Sequence, residues 1–144
     1  MAYARMTDDE IWSFLSAPPA RPAVVATARV DGRVHAVPVW YATDNRTLVF
    51  TTGADTVKGR ALLRDHRVAI CVDDDRPPFS FVAVDGEAHV SSVLAEVQRW
   101  ATIIGGRYMG ADQAERFGLR NGVPGELLVR VRPAHITAFK DVAQ

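Results

Sequence analysis

Leu48-Val49-Phe50-Thr51-Thr52-Gly53-Ala54-Asp55-Thr56-Val57-Lys58-Gly59-Arg60 runs from an apolar segment through a short polar turn into a helical one. Leu48 to Phe50 have the character of a strand end. Thr56 suits an N-cap, so Val57 to Arg60 form the first turn of a helix ending near Arg64. A helix N-terminus presents unpaired N–H groups and the positive end of the macrodipole. Lys58 and Arg60 add positive charge where it is locally unfavourable, a conflict that a bound anion would resolve. A capped surface helix with two solvated cations is the alternative. Only Lys58 and Lys140 are lysines among 17 basic residues, which sets Lys58 apart.

Outward from this junction the chain alternates apolar runs with tight turns. Before it, Thr7-Asp8-Asp9-Glu10 opens an amphipathic helix carrying Ile11, Trp12, Phe14 and Leu15, which Pro18-Pro19 ends. Ala23–Val30 and Arg33–Ala42 are two strands about the Asp31-Gly32 turn, and Asp44-Asn45-Arg46 leads into Thr47–Thr52. After it, Arg67–Asp73 is a strand, and Phe79–Val90 is another, interrupted at Asp85-Gly86 by a bulge or a turn. A helix over about Ser92–Ile104 is punctuated by Gly105-Gly106, and Ala111–Leu119 is a second helix. Gly125–Arg132 and Ala134–Lys140 are two strands around Pro133. Strands linked this tightly form a mainly antiparallel sheet, and six or seven of them in one small domain predict a closed barrel with helical additions.

Residues 1–144 fit a single domain with one sizeable core. Formal net charge is zero and the pI is about 6.9, which argues against nucleic acid or an anionic membrane as the main partner. No run of 18 apolar residues exists and the first ten residues are polar and acidic, so a cytoplasmic location is expected. The lone Cys71, within Val68–Val72, reads as a small buried hydrophobe. Val68–Val72 and Ala36–Tyr41 are apolar on both faces: a barrel interior covers one, and a subunit interface would cover the other. A homodimer is therefore expected.

Hydrolytic and metal chemistry find little support. His35, His66, His89 and His135 are dispersed and match no ligand spacing, and the acidic runs at 8–10 and 73–75 belong to a helix start and a loop. Pro38, inside Val37-Pro38-Val39-Trp40-Tyr41, cannot donate to a ladder, so it marks an edge or a bulge. A flat heteroaromatic ligand would pair with main chain exposed there; an ordinary edge-strand proline is the simpler explanation.

Val24-Val25-Ala26-Thr27, Asp31-Gly32-Arg33, Pro38-Val39-Trp40-Tyr41, Phe50-Thr51-Thr52, Lys58-Gly59-Arg60 and Arg67–Asp74 occur in an order and spacing that match a known family over about 20–140. The chain resembles the pyridoxamine 5′-phosphate oxidase-like split β-barrel proteins. Within them it is most similar to the flavin/deazaflavin oxidoreductases of actinobacterial type that use coenzyme F420. The resemblance implies a mainly β, six-stranded antiparallel split barrel of the FMN-binding type, forming a homodimer with cofactors in interfacial grooves. By position, Val37, Pro38, Val39, Trp40 and Tyr41 would line an isoalloxazine-type ring. Thr51, Thr52, Thr56, Val57, Lys58, Gly59 and Arg60 would hold the phosphate-bearing tail, and the loop from Pro77 through Pro78, Phe79 and Ser80 would approach the cofactor.

The activity implied is hydride transfer from the reduced deazaflavin to an unsaturated small-molecule acceptor, such as a tetrapyrrole like biliverdin, a quinone or an enone. The cofactor supplies the redox chemistry and the protein supplies position and electrostatics, so no catalytic residue is assigned. An FMN-dependent oxidoreductase on the same scaffold and a non-catalytic cofactor- or haem-binding protein are the alternatives. The arginine-bearing C-terminal substrate segment of the true pyridoxamine phosphate oxidases has no counterpart after Phe139-Lys140, so vitamin salvage is not expected.

Overall fold

The computed structural model describes residues 4–144. It opens with a two-residue strand β1 (Ala4–Arg5) and helix α1 (Asp8–Ser16), followed by β2 (Ala23–Ala28), β3 (Val34–Val39), β4 (Ala42–Asp44) and β5 (Thr47–Gly53). Helix α2 (Val57–Arg64) leads to β6 (Arg67–Asp74) and β7 (Ser80–Ser91). The helices α3 (Leu94–Met109) and α4 (Ala114–Asn121), joined by a 3₁₀ turn, precede the long β8 (Glu126–Lys140).

All eight strands belong to one antiparallel sheet in the order β3-β2-β6-β7-β8-β5-β4, with β1 added to β8. Six strands have six or more residues and form the expected barrel; β1 and β4, with two and three, are short additions. The ends of the path, β3 and β4, are consecutive in the chain, so Trp40-Tyr41 carries the backbone across the split. Thr7 and Glu10 cap α1 reciprocally, and Lys140 ties that helix to β8 through an ion pair with Glu10.

The interior packs Leu15, Val25, Phe50, Ile70, Val72, Val82, Val84, Val129 and Val131 against one another. A second cluster, with Val49, Val97, Trp100, Ile104 and Leu128, lies under α3. Strand β5 is therefore covered on both faces, which accounts for its unbroken apolar run.

Several expectations change, and the alternative at Asp85-Gly86 resolves to the bulge. Gly105-Gly106 does not end α3; a Cβ at Gly105 would lie 2.4 Å from Phe117 Cβ, so the glycine lets α4 approach rather than breaking the helix. Strand β7 runs through Asp85-Gly86 without a turn. Asp85 faces His135 while Gly86 faces Pro133, so the extra residue, Ala134, bulges from β8, which is one strand rather than two. Cys71 is exposed, because the alternation of β6 turns it away from Ile70 and Val72.

Candidate functional site

The junction between β5 and α2 is built by side chains that satisfy one another. Thr56 caps α2 by accepting from the Gly59 amide at 3.0 Å, and its hydroxyl proton goes to the Gly53 carbonyl at 2.8 Å. That proton being used, Thr52 is the donor in the 3.0 Å contact between the two threonine hydroxyls. Gly59 is required by close packing, since a Cβ there would meet the Gly53 carbonyl oxygen at 2.1 Å. Thr52, Thr56 and Gly59 thus shape the turn, and their polar capacity is largely consumed within it.

Beside this junction is a cavity of about 230 Å³ lined by Pro38, Val39 and Trp40, by Thr51 of β5, Lys58 of α2, Ala101 and Ile104 of α3, and Asn121 of α4. Three predicted ring-side residues and two predicted tail-side residues meet here, although they come from separate strands and a helix. Pro38 stands on the free edge of the sheet, because β3 pairs only with β2. Trp40 is held by a parallel stack on Tyr108, centroids 5.0 Å apart with the planes 5° from parallel, and by Phe117 at 5.8 Å.

Lys58 has no carboxylate within ion-pair reach among the described residues, and burial pulls its pKa below the ordinary lysine value. Glu126, opposite Gly53 in the β5–β8 ladder, has its carboxyl pushed up by burial and partly drawn back by Lys58. The result is a half-buried cation on the cavity wall, with a carboxylate behind the junction as its counterweight.

The remaining predicted residues lie elsewhere. Tyr41 is buried; its hydroxyl donates to the Leu15 carbonyl at 2.7 Å, and the Arg107 guanidinium covers its ring at 4.5 Å. Val37 lies on the half-buried side of β3, opposite Val25. Arg60 and Val57 line a different cavity, because residues two apart on a helix point to different sides. Pro77 to Ser80 form the β6–β7 turn outside the Lys58 cavity, with Phe79 at φ +64° and bonded to Arg76 and Val142. Ala101, Ile104, Asn121, Tyr108 and Glu126 are not among the predicted site residues. Their helical or strand periodicity reads as core or ladder, and nothing local distinguishes a residue that also faces a cavity.

The comparisons with known proteins agree with this architecture. A family model described as pyridoxamine 5′-phosphate oxidase matches residues 7–140. A conserved hypothetical protein of Mycobacterium tuberculosis superposes with a TM-score of 0.83 at 21% identity, covering 100% of this chain and 92% of that one. An F420 reductase superposes at 0.68 with 24% identity, covering 86% and 93%. An FAD-binding protein of Mesorhizobium loti superposes at 0.70 with 17% identity, covering 96% and 97%. A search of curated proteins gives no match. With nearly the whole chain inside one family model and the split-barrel topology in place, the protein belongs to the pyridoxamine 5′-phosphate oxidase family.

Proposed function

We propose that this protein is a coenzyme F420-dependent oxidoreductase, passing hydride from the reduced deazaflavin to an unsaturated acceptor such as a tetrapyrrole, a quinone or an enone. The observation that carries the reading is the meeting of an aromatic wall, an open strand edge and an unpaired, half-buried cation in one cavity. A planar ring with an anionic tail requires those three elements. The choice of the deazaflavin over FMN rests on the sequence resemblance; the structural neighbours include both an F420 reductase and an FAD-binding protein.

The residues present fit the coenzyme. The Trp40 indole, fixed by Tyr108, would flank the ring, and the main chain at Pro38-Val39 would face its heteroatom edge. Lys58 would neutralise the tail phosphate, while Thr51 offers a hydroxyl from β5. When bound, the coenzyme supplies the hydride; the chain orients it, excludes water through Ala101 and Ile104, and holds a positive charge at Lys58 Nζ. Burial raises the Tyr41 and Tyr108 phenols and both are engaged with backbone groups, so neither is assigned proton donation.

The single-chain cavity, about 230 Å³, falls short of the roughly 300–1,000 Å³ typical of ligand pockets. A second copy would complete it. The outward face of β2, β3 and β6 sets Val24 between Pro38 and Cys71, Ala26 between Ala36 and Ala69, and Ala28 beside Val34, with no charged residue among them. Val24 and Val34 are 44% and 70% exposed. A homodimer through this face would bury it and enclose the β3 edge.

Titrating the purified protein with coenzyme F420 and with FMN, followed by assay of the reduced deazaflavin against an acceptor panel, tests the reading. F420 should bind the more tightly, and Lys58→Ala should weaken it by about 1.5–3 kcal/mol, roughly 10- to 150-fold. Preference for FMN, or an affinity unaffected by the loss of Lys58, defeats it.

A further inference from the structure

A second cavity, of about 320 Å³, lies on another side of α2, between that helix and the β2–β3 turn. Its floor is apolar: Val30, Val57 and Ala61. Val30 is 83% exposed and Val57 38%, so the floor is open to solvent. Arg29, Arg60 and Arg64 also line it, so three cationic side chains start from its walls.

The charges lining the cavity do not balance one another. Asp31 is the only acid lining the cavity, and Arg33 holds it through Nε at 2.8 Å and its own amide at 3.1 Å. Arg64 is anchored to the Ala28 carbonyl at 2.7 Å, which fixes one guanidinium at the mouth. Among the described residues, the side chains of Arg29 and Arg60 make no hydrogen bond and no ion pair within 4.0 Å. Arg60 and Arg64 are one helical turn apart on the same side of α2, so both point at the same opening. Deeper in the same hairpin, Thr27 and His35 face each other across the ladder, and Thr27 Oγ1 and His35 Nδ1 are buried with no partner. Thr27 is 4% exposed, two residues before Arg29.

We infer that this cavity is a binding site for an oxyanion with an apolar body, of the aryl carboxylate class. The arginine forks match a carboxylate in bidentate geometry, and the valine and alanine floor takes the ring. The site is independent of the coenzyme reading, because Lys58 and Trp40 belong to the other cavity.

Isothermal titration of the full chain with naphthoate, naphthylmethanol and inorganic phosphate tests the assignment. Naphthoate should bind saturably at one site per chain and the neutral alcohol at least about tenfold more weakly. Phosphate, which cannot use the floor, should also bind more weakly. Arg29→Gln with Arg60→Gln should weaken naphthoate at least about tenfold, whereas Lys58→Ala should leave its affinity within about twofold. Among the described residues, the side chains of Arg29 and Arg60 make no hydrogen bond or ion pair that the substitutions remove. Should the double variant nevertheless fold poorly, Arg60→Lys, which keeps the charge and loses the fork, should still weaken naphthoate measurably. Equal binding of the alcohol or of phosphate, undiminished binding by the arginine variants, loss of binding in Lys58→Ala, or no saturable binding overturns the proposal.

Discussion

The two walls of the Lys58 cavity are finished to different degrees. On one side, the β5–α2 junction closes on itself: Thr52, Thr56, Gly53 and Gly59 exchange hydrogen bonds and leave no room for one more methyl group. On the other side, β3 is paired along one edge only and shows Val34, Ala36 and Pro38 to solvent, with Trp40 just beyond its end. A rigid wall fixes where the cation sits, and an unfinished wall leaves the space for what the cation attracts. Both follow from local sequence, glycine with threonine in the first case and proline at a sheet edge in the second.

The finished wall should be the more sensitive to substitution. In Gly59→Ala the new Cβ would lie 2.1 Å from a backbone carbonyl oxygen, which α2 relieves only by moving off β5. A loss of stability on the order of 3 kcal/mol is expected in denaturant or thermal unfolding, the upper part of the overpacking range. An unchanged midpoint would mean that the junction is looser than its geometry. Thr56→Ala removes the cap and leaves the Gly59 amide and the Thr52 hydroxyl unmatched, for about 1–2 kcal/mol.

At the open wall, Trp40 depends on Tyr108. The Tyr108 hydroxyl donates to the Arg21 carbonyl at 2.7 Å and accepts from the Tyr41 amide at 3.2 Å, so its ring is held firmly under the indole. Tyr108→Phe should cost about 1–3 kcal/mol by stranding those two groups while keeping the stack. Tyr108→Leu should release Trp40, with acrylamide quenching of its emission, isolated by difference against Trp40→Phe, rising above the parent level. Val24→Asp with Val34→Asp spares every residue that lines the cavity yet places charge on the apolar outer face. Light scattering should report a dimeric parent and a monomeric variant with the same circular dichroism; a monomeric parent would leave the β3 edge open in solution.

Legibility from sequence divides along similar lines. Helix α2 has the predicted limits, Val57–Arg64, because cap, glycine and charge are all local signals. Pro38 at a sheet edge follows from its missing N–H. Gly105, by contrast, has the look of a helix terminator and is instead a contact point for Phe117, a fact that belongs to a helix distant in sequence. Lys58 and Arg60, grouped by the sequence reading, line separate cavities for a simpler reason: adjacency in sequence is not adjacency on a helix. Glu126 was invisible because only the β5–β8 register brings it opposite Gly53.

That register carries the smallest predicted effect. Burial raises the Glu126 carboxyl above 4.5 and lowers Lys58 below 10.5, each partner opposing the other's shift. A raised carboxyl favours the fold below its unfolded value, and the contribution is lost as pH rises through the folded one. Above that point Glu126 is anionic and competes with an anionic ligand for Lys58. Affinity for the anionic coenzyme should therefore rise as pH falls through the Glu126 transition, and decline on the alkaline side earlier than an exposed lysine would allow. Glu126→Gln should bind the coenzyme a few-fold more tightly at neutral pH and flatten the acidic limb, while keeping the alkaline decline set by Lys58. Titrations from pH 5 to 9 on both proteins separate the limbs. Weaker binding in Glu126→Gln would mean that the carboxylate positions Lys58 instead of competing for it, and the open wall would then have to supply the attraction for the tail.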